Sequence, residues 1–125
     1  MKEADISRKI QLRHTEIGGR LFRNNVGLFK TKDGRTIKTG LCKGSSDLIG
    51  WMPVKITQEM VGKTIAVFTA TEVKKNTKLS KDQELFINAV NNSGGIAFVS
   101  KSPEEHEQNI IDKIKGFINA IYRHI

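Results

Sequence analysis

Between residues 4 and 17 the apolar positions Ile6, Ile10 and Ile17 fall at helical spacing. Gly18-Gly19 behind them supplies a stop, because glycine adopts the left-handed cap conformation without strain. The pattern then tightens. RLFRNNVGLF, from residue 20, reads as a strand, and Asp33-Gly34 marks a tight hairpin turn with further strand on its far side. SDLIGWM, 46–52, is a short apolar run ended by Pro53, and the segment up to residue 63 has no period and reads as a loop or a turn of helix. TIAVFTATEVK, 64–74, is the densest run of β-branched and aromatic residues and the clearest strand. Ser80 and Gln83 have capping-box spacing at the start of a helix that Gly94-Gly95 stop, and IAFVS, 96–100, reads as a compact buried strand. Ser102, Pro103 and Glu105 open a last helix whose Ile110, Ile111, Ile114, Phe117, Ile118 and Ile121 form an apolar stripe suited to core packing. The order αβββαβα predicts an α/β sandwich around a mixed central sheet, and the length fits a single domain over residues 1–125.

Charge changes this picture. The net charge is +8 and the sequence pI about 9.8, a balance that points to a polyanionic partner. The excess sits before Gly44, where only Glu3, Asp5, Glu16 and Asp33 oppose a long series of lysines and arginines. Cys42 is alone, which excludes an intramolecular disulfide and a cysteine zinc cluster. His14, His106 and His124 lack ligand spacing and read as surface or packing residues. No signal core or membrane-length apolar run is visible, so the chain is expected to be intracellular, cytoplasmic and free of the membrane.

Candidate chemistry gathers at two strand ends. Alternation along 64–74 puts Glu72 and Lys74 on one face with Phe68 and Ala70, while Val73 points the other way. Asp47 begins the preceding strand. Antiparallel pairing of the two strands brings Asp47 to the same sheet edge as Glu72 and Lys74. Two carboxylates with room for water make a hard-oxygen site suited to Mg²⁺, and Lys74 is placed to orient a water or offset charge on a phosphate. The alternative is a plain Glu-Lys pair on an exposed strand.

GSSDLIGW, AVFTATEVK and LSKDQELFINAVNNSGGIAFVS, in that order and with LFRNNVG ahead of them, resemble the VRR-NUC family of the PD-(D/E)xK nuclease superfamily, in particular its stand-alone, phage-type members. The resemblance covers roughly residues 3 to 105. It implies a restriction-endonuclease-like αβββαβ core with a C-terminal helix added, and phosphodiester hydrolysis dependent on Mg²⁺ or Mn²⁺. On this match Asp47 and Glu72 are metal ligands, Lys74 is the catalytic lysine and Gln83 is the glutamine of the following helix; spacing alone makes Gln83 the partner of Ser80 in a cap. The superfamily proline before the aspartate is Ser46 here, which leaves the carboxylate in place. A further acidic ligand from the first helix falls on Glu3, with Asp5 close behind.

Arg20, Arg23, Lys30, Lys75, Lys78 and Lys81 are the expected phosphate contacts, which give affinity without sequence readout. Trp51 beside a buried strand reads as core. No recognition helix is apparent, so the expected activity is structure-selective; the resemblance to single-domain, phage-type members implies a homodimer that resolves four-way (Holliday) DNA junctions. Flap or branched-DNA cleavage, nicking, and a non-catalytic basic binding module are the alternatives.

Overall fold

The computed structural model describes residues 2–123, with side chains described as far as residue 117. His124 and the side chains of Ile118, Ile121 and Tyr122 lie outside the described residues. The chain divides into two compact units, Met1–Pro53 and Val54–Ile125, each with its own ladders.

The first unit contains α1 (Glu3–Glu16), β1 (Arg20–Arg23), β2 (Gly27–Lys30), β3 (Thr36–Thr39) and β4 (Leu48–Trp51). β1 and β4 pair antiparallel, with Arg20 opposite Trp51 and Arg23 opposite Leu48; β2 and β3 form an antiparallel hairpin. The run expected as one strand from residue 20 is two, because Asn24 turns its hydrogen-bonding groups to the 41–47 loop and breaks the ladder. Close backbone approach explains Gly50: a Cβ there would lie 1.8 Å from the Arg20 carbonyl oxygen. Polar contacts dock α1. Gln11 Nε2 donates to the Leu21 carbonyl at 3.1 Å and His14 Nε2 to the Trp51 carbonyl at 2.9 Å, while Ile6 and Ile10 remain exposed. His14 is thus a packing residue, and Trp51 packs on Phe22 with ring centroids 5.3 Å apart.

The second unit contains a 3-10 turn (Gln58–Met60), β5 (Thr69–Val73), α2 (Lys81–Asn92), β6 (Ile96–Ser100) and α3 (Pro103–Arg123). β5 and β6 pair in parallel, with Glu72 opposite Val99, and α2 supplies the crossover that parallel strands require. Among the described residues the buried apolar core is Val90 on α2 and Ile96 and Ala97 on β6. A Cβ on Gly95 would meet Val90 Cγ1 at 2.7 Å and the Phe68 carbonyl oxygen at 2.8 Å, so the helix-to-strand turn needs glycine to let α2 close on the sheet. On the opposite face, His106 of α3 reaches Thr71 Oγ1 at 3.2 Å and packs on Phe98.

Ladders of both kinds occur, as the expected α/β fold with mixed pairing requires. Within the first unit β4 takes β1 as its ladder partner, and within the second β5 takes β6. β5 is also shorter than the apolar run that encodes it. Its ladder can extend only as far as the five residues of β6. The α3 stripe is likewise only partly covered: Ile110 is half-buried, but Ile111, Ile114 and Phe117 are exposed. A helix of 21 residues is about 31 Å long, whereas a five-residue strand offers about 17 Å to pack on.

Candidate active site

The end of β5 carries the most organised polar cluster in the second unit. Ala70 and Glu72 face inward on β5 and Val73 is exposed on the other side, as strict alternation demands. Lys74 keeps the register because its backbone N–H donates to the Ser100 carbonyl, extending the ladder one residue past the strand. Its Nζ lies 3.6 Å from Glu72 Oε1, and the two side chains are only 19% and 32% exposed.

Gln83 enters from the first turn of α2. Ser80 caps that helix: its Oγ accepts from Gln83 N at 3.1 Å, and Gln83 Oε1 accepts from Ser80 N at 2.9 Å. With its oxygen committed to the cap, the amide turns its Nε2 outward, where it donates to Glu72 Oε1 at 2.9 Å. One glutamine therefore closes the helix and holds the carboxylate. Glu72 Oε1 receives both Gln83 and Lys74, while Oε2 takes neither contact. A cleft of about 290 Å³ opens at this point, lined by Ala70, Thr71 and Glu72 of β5 and by Asp82, Gln83, Phe86 and Ile87 of α2.

The cleft adds a residue that the sequence pattern passed over. Asp82 shares the wall with Glu72 and Gln83. An acid in the first turn of a helix is explained by the helix dipole, so spacing gave no reason to single it out.

Asp47 belongs to the first unit, just ahead of β4. It is exposed, and its carbonyl accepts from Asn24 N at 2.8 Å. Asn24 pins the loop before it as well, donating from Nδ2 to Ser45 Oγ at 2.7 Å and the Ser46 carbonyl at 2.9 Å while its Oδ1 accepts from Leu41 N at 2.9 Å. This role too was invisible as spacing; its trace is the Asn-Asn pair between two strand-like runs. Glu3 is the first residue of α1 and exposed, whereas Asp5 is engaged by Arg8 at 2.6 Å. Among the described residues no three of His, Cys, Asp and Glu gather in one cluster.

Of the expected phosphate contacts, Arg20 and Arg23 stand exposed on β1 and Lys30 on β2 in the first unit. Lys75 and Lys78 are exposed after β5 in the second, and Lys81 opens α2 with its Nζ 4.0 Å from Glu84.

A strand-end Glu-x-Lys and a helix-capping glutamine thus meet beside the cleft within an α/β fold. The VRR-NUC domain model matches residues 20–104, a stretch that includes Asp47, Glu72, Lys74 and Gln83, and the chain belongs to this family of nucleases. No curated protein and no solved structure matches the chain.

Proposed function

We propose that the chain is a metal-dependent, structure-selective DNA endonuclease, acting as a homodimer that resolves four-way junctions. The observation that carries the catalytic part is the joint hold of Gln83 and Lys74 on Glu72 Oε1 within the cleft. On this reading residues 1–125 form one nuclease domain, supported by a family match that runs through both compact units.

The donor set fits a small hard cation. Glu72 presents a carboxylate held through one oxygen, leaving the other for an ion, and Mg²⁺ needs only one or two carboxylates because it keeps several waters. Asp47 and Glu72 would hold Mg²⁺ or Mn²⁺, with Glu3 the third candidate because Asp5 is committed to Arg8. Such an ion, when bound, lowers the pKa of a coordinated water and draws charge from the phosphate. Gln83 keeps Glu72 from swinging into solvent. Lys74, with its Nζ 3.6 Å from Glu72 Oε1, would offset the negative charge that develops as water adds to phosphorus, its proton passing to solvent, and the bond to the leaving sugar oxygen breaks. Arg20, Arg23, Lys30, Lys75, Lys78 and Lys81 hold flanking phosphates.

The junction reading rests on symmetry and charge. A two-fold dimer presents two equivalent sites to two opposed strands, and the uncovered part of the α3 stripe gives a second copy an apolar surface. No helix among the described residues is long and apolar enough to cross a membrane. The exposed free thiol of Cys42 fits the cytoplasm, where phage-type relatives would act within a bacterial host.

Labelled four-way junction, 5′ flap and linear duplex, each incubated with Mg²⁺, Mn²⁺ or EDTA, test the reading. Paired nicks in opposed strands of the junction, abolished by EDTA, are expected. Flap cleavage alone would keep the site and remove the junction role; binding of all three without cleavage would leave only a binding module.

A further inference from the structure

The first unit carries a two-stranded ribbon whose faces differ in chemistry. In the β2–β3 register Phe29 stands opposite Ile37, and Leu28 opposite Lys38. Alternation therefore gathers Gly27, Phe29, Ile37 and Thr39 on one face and Leu28, Lys30, Thr36 and Lys38 on the other. Phe29 is 58% and Ile37 47% exposed, although cross-strand pairs of this kind normally point into a core. Lys30, Lys32 and Lys38 are exposed too.

The ribbon is stiff at both ends. At the tip Thr31 N donates to the Arg35 carbonyl at 2.8 Å, Gly34 N to the Thr31 carbonyl at 3.0 Å, and Thr31 Oγ1 to Asp33. At the base Thr39 Oγ1 donates to the Asn25 carbonyl at 2.8 Å. Arg35 and Asp33 pair at 2.9 Å and cancel each other, so Lys30, Lys32 and Lys38 set the sign of the arm. Lys30 and Lys38 on the face opposite Phe29 and Ile37, with Lys32 at the tip, disfavour a second copy of the same arm as occupant, because like charges would meet. They favour a polyanion that also offers flat apolar faces.

We propose that the β2–β3 ribbon is a DNA-contacting arm. Its lysines bind backbone phosphates, and its Phe29–Ile37 face packs on bases exposed where duplex stacking is interrupted, as at a branch point. The choice of DNA rests on the nuclease reading above. A two-stranded ribbon fits a DNA groove, and stacking on an aromatic ring tolerates any base.

Fluorescence anisotropy in EDTA, with a labelled four-way junction and a linear duplex of the same arm sequence, reads binding without cleavage. Replacing Lys30, Lys32 and Lys38 together by Ala should weaken both substrates. It should also flatten the log–log salt slope by up to about 3, at about 0.9 per phosphate contact. Phe29→Ser with Ile37→Ser should lower junction affinity about tenfold and leave the linear duplex nearly unchanged. Phe29→Leu, which keeps apolar area and loses the ring, should lose junction preference, and Phe29→Tyr should retain it; this pair covers the case in which the double serine variant melts early. Unchanged binding and salt slope in the lysine variant would overturn the proposal. So would an equal loss on both substrates in the Phe29 and Ile37 variants accompanied by a dimer-to-monomer shift in sedimentation, which would assign that face to a second copy. Cleavage in Mg²⁺ by wild type against Glu72→Ala is read in parallel. Absent cleavage with the binding effects intact removes the nuclease reading and leaves the arm; normal cleavage with no binding effect does the reverse.

Discussion

Replacing Gln83 by Met keeps the length and helix propensity of the side chain and removes its two hydrogen bonds, one to Ser80 N and one to Glu72 Oε1. Ser80→Ala separates these roles, because it takes away the cap oxygen and leaves the amide contact with Glu72. Loss of the Ser80 cap costs about 1 kcal/mol of stability, a Tm decrease of about 4 °C for a chain of this size. Gln83→Met should cost a similar amount, since half of the capping box goes with it. Cleavage should divide the variants sharply. A hydrogen bond to a charged group is worth about 1.5–3 kcal/mol, and the Glu72 side chain is 32% exposed, which puts this bond at the lower end. At about 1.4 kcal/mol per factor of ten, Gln83→Met should cut single-turnover cleavage about tenfold, while Ser80→Ala changes it less than about twofold. Single-turnover assays on a labelled junction, run beside thermal melts, provide the comparison. Equal losses of cleavage in both variants, or cleavage by Gln83→Met within twofold of wild type, would refute the reasoning and return Gln83 to a purely capping role.

Gly50→Ala drives a methyl group into the Arg20 carbonyl, so it should destabilise the chain by about 1–3 kcal/mol or more, seen as a lower urea midpoint at unchanged slope. Asn24→Ala should release the loop before Asp47: the Leu41 amide should exchange faster with deuterium while those of β5 and β6 keep their protection, and cleavage should fall with it. The Thr31 hydroxyl, followed by contacts with Arg35, holds the Asp33 carboxyl below its ordinary value of 3.8. The contribution of Asp33 to the hairpin tip is therefore present above that value and lost as pH falls through the lower folded value. Thr31 and Arg35 amide shifts should stay constant from neutral pH down to about pH 4, and a transition above that point would contradict the assignment.

The local geometry of Glu72, Lys74 and Gln83 was legible because these residues obey simple periods. Glu72 and Lys74 share a face through alternation, and Ser80 with Gln83 announces a cap at a spacing of three. Spacing alone accounted for the cap, and the family resemblance also assigned Gln83 to the site; the fold adds the contact itself, its –NH₂ donating to Glu72. Asp82 was masked by its favourable place in a first turn. Ladder partners were not legible. Apolar runs define strands, but which strands meet depends on fits such as Gly50 against Arg20, and β5 is cut to the length of β6. Helical spacing put Ile6 and Ile10 on one side of α1, where both remain exposed, and the hydrogen bonds of Gln11 and His14 dock the helix. Periodicity reports which face is apolar and not whether anything covers it.

The proposal that Glu72, held through one oxygen by Gln83 and Lys74, is a metal ligand is tested most directly by calorimetric titration of Mn²⁺ into wild type and Glu72→Gln, with Asp47→Asn run beside them. None of these titrations relies on cleavage. Glu72→Gln is expected to weaken Mn²⁺ about tenfold or more, and Asp47→Asn likewise if its carboxylate is a ligand. Mn²⁺ binding untouched by Glu72→Gln would contradict the account and leave Glu72, Lys74 and Gln83 as a hydrogen-bonded cluster without a metal.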